Sequence, residues 1–121
     1  MSTVLLIADT PWVVNDVHSA ISSPGREIVV LNDPTIAAST AAETRPDVAI
    51  VDLQVGAMGG MAIVRSIHDG QALGQVPDFP TVLLLDRTAD RFLARRSGAN
   101  ASVVKPFTAQ ELRSAVTRIL L

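Results

Sequence analysis

The chain has no cysteine and no tyrosine, and only 3% of its residues are aromatic. Without cysteine there are no disulfides and no thiolate metal sites, and the redox compartment is left open. So few aromatic rings leave no platform on which nucleic-acid bases could stack. No apolar run approaches the length that crosses a bilayer, and no signal peptide with a small-residue cleavage site is present. No membrane insertion is therefore expected, and a cytoplasmic location is. The formal charge is only −2, the wrong sign for a surface that grips phosphate backbones, so no nucleic-acid partner is expected.

What is present is a chain of 121 residues, 48% of them apolar. That length and composition suit one domain, residues 1–121, rather than a disordered segment. Five short runs rich in Val, Ile and Leu recur at residues 3–8, 27–31, 48–51, 80–85 and 101–104. None alternates with polar residues, which predicts strands buried on both faces, as in a parallel sheet covered by helices.

Helical segments lie between these runs. Thr10-Pro11 and Asp33-Pro34 each place a capping side chain before a proline at the first helical position. Thr108-Ala109-Gln110-Glu111 fits a capping box. Leu112, Ala115, Val116 and Ile119 then fall on one helical face, as do Val13, Val17 and Ile21 earlier, and Ile63, Val64 and Ile67 between them. Thr88 is expected to cap a fourth helix over 89–97 that stops before Gly98, and 69–79 reads as a loose surface loop. The alternation is (βα)5, an α/β fold with a doubly wound five-stranded parallel sheet.

In such a sheet ligands bind beyond the carboxyl ends of the strands. Asp9 follows the first run, Asp52 the third, and Lys105-Pro106-Phe107 the fifth. Two carboxylates and an ammonium on one rim suit a divalent cation and a phosphoryl group. Mg²⁺ takes one or two carboxylates, waters and phosphate oxygens, and an aspartate can itself accept the phosphoryl group. Asp52, on a central strand beside a flexible Gly-rich loop, is the better nucleophile. Asp9 would then hold the metal, and Lys105 would pair with Asp52 or its phosphate.

With Gly60 opening the third helix and Gly98-Ala99 preceding the fifth strand, these residues make the whole chain resemble the CheY-like receiver domains of bacterial two-component response regulators. The resemblance implies the strand order 2-1-3-4-5, Asp52 as phosphoacceptor, Lys105 as the site lysine, and Asp9, Asp52 and the backbone carbonyl of Gln54 as metal ligands. It implies a cis Lys105–Pro106 bond, and a histidine kinase or phosphotransfer protein as phosphodonor. No enzyme acting on a small molecule is implied.

The departures from the family pattern matter as much. Ala8 stands where the family has a second acid, so Mg²⁺ binding is expected to be weak. Val55-Gly56 replaces the usual Met-Pro, Leu85 replaces the hydroxyl residue that ends the fourth strand, and Ser102 replaces the switch aromatic of the fifth. Leucine cannot donate the hydrogen bond that draws the relay inward. Two readings follow. One is an atypical receiver phosphorylated on Asp52 that acts through protein–protein contact. The other is a pseudo-receiver that serves, independently of phosphorylation, as a constitutive interaction module or accessory subunit of a larger assembly.

Blander readings accompany these. Asp52 and Lys105 could form a structural ion pair, and Asp9 could cap the first helix. Asp86 reads as a solvated loop residue in preference to a second partner of Lys105. Arg91, Arg95, Arg113 and Arg118 read either as a solvated basic face or as a docking surface for an unidentified protein partner. His18 and His68 are expected on the surface, Trp12 as a packing residue beside the site, and Met58 and Met61 in loop and core packing.

Overall fold

Alternate side chains of each strand serve two different cores, and this is why the strands read as unbroken apolar runs. The computed structural model describes residues 2–120. The main sheet contains β1 (Ser2–Ile7), β2 (Arg26–Leu31), β3 (Val48–Asp52), β4 (Thr81–Leu85) and β5 (Ala101–Val104). All pair in parallel, in the order β2-β1-β3-β4-β5. The helices are α1 (Pro11–Ile21), α2 (Ala37–Thr44), α3 (Gly60–Ala72), α4 (Arg91–Ser97) and α5 (Ala109–Leu120). No helix among the described residues is long and apolar enough to cross a membrane.

Val4 and Leu6 of β1, Val48 and Ile50 of β3, and Val82 and Leu84 of β4 pack with α1 and α5. Leu5 and Ile7, Ala49 and Val51, and Leu83 and Leu85 point the other way, with residues of α2, α3 and α4. All twelve are 0% exposed. At about 1.5–3 kcal/mol for each large aliphatic side chain removed from water, these two layers dominate the stability.

The local signals were realised unevenly. The capping box on α5 is reciprocal: Glu111 N–H donates to Thr108 Oγ1 at 3.1 Å, and Thr108 N–H to Glu111 Oε1 at 3.2 Å. Asp33 accepts from Thr35 N–H, but what it opens is a 3₁₀ turn, Pro34–Ile36, with α2 following. Thr10 occupies the cap position of α1 with no side-chain hydrogen bond. Thr88 is no cap, since it lies inside a 3₁₀ turn, Thr88–Asp90, and α4 starts only at Arg91. Gly98 does end α4, at φ +104°.

The expected loose loop is shorter and better held than its composition suggested. α3 runs to Ala72, and Gly70 is buried inside it against Val76. Gln71 Nε2 then donates to the carbonyls of Pro77 and Phe79, at 3.0 and 3.4 Å. His68 is also less exposed than expected. Its ring packs beneath Gly98, where an added Cβ would stand 2.9 Å from it, and its Nε2 is buried without a partner.

Candidate functional site

Parallel pairing brings the ends of β1, β3, β4 and β5 to one rim. Ile7 lies beside Val51, Asp52 beside Leu84, and Leu85 beside Val104. Asp52 closes β3 and is 2% exposed. Its Oδ1 accepts from its neighbour Leu53 N–H at 2.8 Å and from Lys105 Nζ. Among the described residues no hydrogen bond reaches its Oδ2. A buried carboxylate with one oxygen held and the other free is oriented without being saturated.

Lys105 is fastened on several sides. Besides Asp52 it reaches Asp86 Oδ1 at 3.1 Å, and its Nζ lies 5.9 Å from the centre of the Trp12 ring. The Asp86 contact overturns the solvated-loop reading: exposed as it is, Asp86 is a second counter-ion. Trp12 is 51% exposed and stands over the rim rather than in the core. The Lys105–Pro106 bond is cis, as the resemblance implied.

Burial alone would lower the pKa of Lys105, but hydrogen bonds and charge from Asp52 and Asp86 outweigh it, and the pKa lies above the usual lysine value. A raised folded pKa means that the pairing stabilises the fold fully below the unfolded lysine value, near 10.4. That stability is lost as pH rises through the folded value. Melting temperatures of wild type and Lys105→Met are therefore expected to differ at neutral pH and to converge only at strongly alkaline pH. A constant difference across that range would mean that the charge contributes nothing.

Asp9 lies just past β1 and is exposed. It does not cap α1. Its Oδ2 accepts from Gly56 N–H at 2.7 Å. Gly56 belongs to a small hairpin that sequence reasoning missed, in which Gln54 and Val55 pair with Gly59 and Met58. Gly56 has φ +57° at the first turn position, the place where a type II′ turn wants glycine. The stretch expected to be a flexible loop is thus a structured hairpin, pinned to β1. Gly60 N–H donates to Leu53 O at 2.6 Å at its base. Ladder alternation then makes Gln54–Gly59 a non-hydrogen-bonded pair, with the Gln54 carbonyl outside the ladder.

Ala8, at the position of the missing acid, is 0% exposed and packs with Val4, Leu6 and Val13. Among the described residues no three His, Cys, Asp or Glu side chains converge as a ready-made metal cluster.

Away from the rim, Arg91, Arg95 and Arg118 line a groove between α4, β5 and α5. Arg113 does not share it. Its guanidinium turns towards α1, donating to Ala20 O at 3.4 Å and to Gln110 Oε1. Arg91, Arg95 and Arg118 thus share one groove, while Arg113 lies next to Arg118 along α5 and also ties α5 to α1. Leu85 is fully buried and Ser102 partly so, with no hydrogen bond from the Ser102 hydroxyl among the described residues.

Comparison with known proteins agrees with this geometry. TcrX, a probable transcriptional regulatory protein of Mycobacterium tuberculosis, is 29% identical over 91% of this chain and 46% of its own length. The DNA-binding response regulator MtrA of Mycolicibacterium smegmatis is 28% identical over 93% and 48%. The chain thus spans about half the length of the curated relatives it matches. Among solved structures, a response regulator of Chloroflexus aurantiacus superposes with a TM-score of 0.85 at 21% identity, over 98% of this chain and 97% of that one. The receiver domain of a Pseudomonas aeruginosa sensor histidine kinase, solved with magnesium in its active-site cleft, gives 0.81 at 23% identity, over 98% and 97%. These two likenesses establish the fold. The family profile described as "Response regulator receiver domain" matches residues 4–117, and the chain belongs to that family.

Proposed function

We propose that this is an atypical receiver whose phosphoacceptor is Asp52, with Lys105 as its charge partner, and that it acts by contact with another protein rather than as an enzyme on a small molecule. The observation that carries this is the oriented Asp52 carboxylate: Oδ1 bound to Leu53 N–H and Lys105, Oδ2 free. A histidine kinase or phosphotransfer protein would supply the phosphoryl group. In the transfer, Asp52 Oδ2 bonds to phosphorus as the bond to the donor's nitrogen or oxygen breaks, and the donor leaves with that electron pair. Lys105 offsets the charge on the phosphoryl oxygens. The test is intact-mass analysis after acetyl phosphate and Mg²⁺, for which a single phosphoryl adduct is expected.

Asp9, Asp52 and the Gln54 carbonyl would hold Mg²⁺. The donor set fits a hard cation: all oxygen, with Asp9 Oδ1 and Asp52 Oδ2 free of hydrogen bonds among the described residues, and with Asp9 and Gln54 exposed to water. Bound there, the metal would neutralise phosphoryl charge. With Ala8 in place of an acid, affinity should be low. Ala8→Asp buries a carboxylate in the core, so the variant should melt lower than wild type without Mg²⁺ and gain more from Mg²⁺ than wild type does. Tight binding by the wild type would instead mean that Asp86 has taken the missing role.

A second reading has its own support. Leu85 is sealed in the core with no hydroxyl to offer, and Ser102 leaves the space of a switch aromatic empty. Phosphorylation then has little means of altering the α4–β5–α5 face, and the domain would serve as a constitutive module. Affinity for a partner on that face should be nearly equal for unmodified, phosphorylated and Asp52→Asn protein. A change of about tenfold, equivalent to about 1.4 kcal/mol of coupling, would restore the conventional switch.

A further inference from the structure

We propose that the α4–β5–α5 groove takes an extended acidic segment of a partner protein, which adds a sixth strand to the free edge of β5. The proposal deepens the reading of this face as a protein-docking surface and rests on it.

Three observations converge. The first is topological. β5 is the last strand of the sheet, paired on one side only, with β4. Lys105 N–H points at β4, donating to Leu85 O at 2.7 Å. Strand alternation then turns the N–H and C=O groups of Ser102 and Val104 to the open side. Such an edge is a template for another strand unless side chains or a covering element block it.

The second observation is steric. The groove holds about 590 Å³, and the side chains around its floor are small: Ala99, Ala101, Ser102, Ser114 and Ala115. An aromatic ring at 102 would fill the space beside the edge; serine leaves room for a backbone to approach. β5 is four residues long, so at roughly 3.3 Å per residue it would register about four or five residues of a visitor.

The third is electrostatic. Arg91, Arg95 and Arg118 line the groove, and Glu111 is the single acid with them. The salt bridges among the described residues involve only Arg87, Lys105 and three aspartates, so the groove arginines have no acidic partner among the described residues. A visiting strand with acids at alternate positions would meet them. This charge argues against a second copy of the chain as occupant, because a two-fold β5–β5 pairing would set arginine against arginine. It also disfavours a docked helix, whose backbone is satisfied internally and leaves Ser102 and Val104 unpaired.

The experiment is a titration of ¹⁵N-labelled full chain with a capped synthetic peptide of about seven residues alternating Glu and Val, followed by amide spectra and hydrogen exchange. The Ser102 and Val104 amide protons should move downfield and exchange about tenfold more slowly when the peptide is bound. Arg91→Glu with Arg95→Glu should weaken binding about tenfold or more. A peptide of the same charge with proline at every second position, and a Lys-Val peptide, should not bind. Asp52→Asn should bind like wild type, which separates this site from the phosphoacceptor. Equal binding of the proline peptide, or loss on charge reversal without protection of Ser102 and Val104, would overturn strand addition while keeping the face. Displacement of the peptide by inorganic phosphate alone would mean a small-anion site, and no saturable binding of the Glu-Val peptide would overturn the proposal outright.

Discussion

Asp52→Asn should remain folded and take up no phosphoryl group. Asparagine has the shape of aspartate, and its carbonyl oxygen can still accept from Leu53 N–H and from Lys105, as Oδ1 does now. Lys105 keeps its second counter-ion, Asp86, so the substitution leaves no buried ammonium unpaired, which would otherwise be strongly destabilising. What disappears is the free anionic oxygen that, on the proposed reading, would attack phosphorus. Intact-mass analysis after acetyl phosphate and Mg²⁺ should show one adduct on wild type and none on the variant, with circular dichroism unchanged. An adduct that persists on Asp52→Asn would place the acceptor elsewhere, with Asp9 or Asp86 the residues to examine next.

The second large effect is expected at Gly60. A methyl group there would overlap the backbone carbonyl oxygen of Asp52 and stand 3.0 Å from both Leu53 Cα and Leu83 Cδ2. Two of these three obstacles are backbone, and the Asp52 carbonyl belongs to the site itself, so relief requires the end of β3 to move. Gly60→Ala should cost about 3 kcal/mol, lower the melting temperature by on the order of 10 °C, and slow phosphorylation by misplacing Asp52. The adjacent Gly59→Ala is the control. Gly59 has φ −75°, and its added Cβ would meet nothing closer than Leu53 O at 4.0 Å. A Gly60→Ala protein as stable and as reactive as Gly59→Ala would remove the steric argument.

The strands were legible because burial on both faces writes itself as unbroken Val, Ile and Leu, and because the polar residue that ends each run marks the rim. Asp52 and Lys105 could be placed together on that basis alone. The start of α4 was misjudged because Thr88 has the chemistry of a cap, whereas the chain there makes a 3₁₀ turn first. Thr10 was placed correctly but makes no side-chain bond. Asp86 was misread because one step of register along β4 decides whether a residue enters the core or the rim: Leu85 enters, Asp86 does not. The Asp9–Gly56 contact left no trace in local sequence. It joins a carboxylate to a backbone N–H 47 positions away, and only the glycine at a place where the resemblance implies proline hints at an added donor. Arg113 shares the helical charge pattern of its neighbours, and its added bond to Ala20 O on α1 left no sign in that pattern.

That donor has a consequence for how the site works as a machine part. Proline has no N–H, so a chain with the proline that the resemblance implies at 56 could not tether the hairpin to Asp9 in this way. Here Asp9 is the clasp of a neighbouring turn, and on the proposed reading it would also be a ligand for an incoming cation. By reciprocity, any event that strengthens one of those duties at the expense of the other is felt equally in both directions. A cation held at the free Oδ1 would draw charge from the clasped Oδ2 and loosen the hairpin, and a partner that grips the hairpin would tune the cation in return. On the reading in which Leu85 and Ser102 supply no internal relay, this outer seam between Asp9 and the turn at Gly56 would be a place where occupancy of the rim is sensed at the surface.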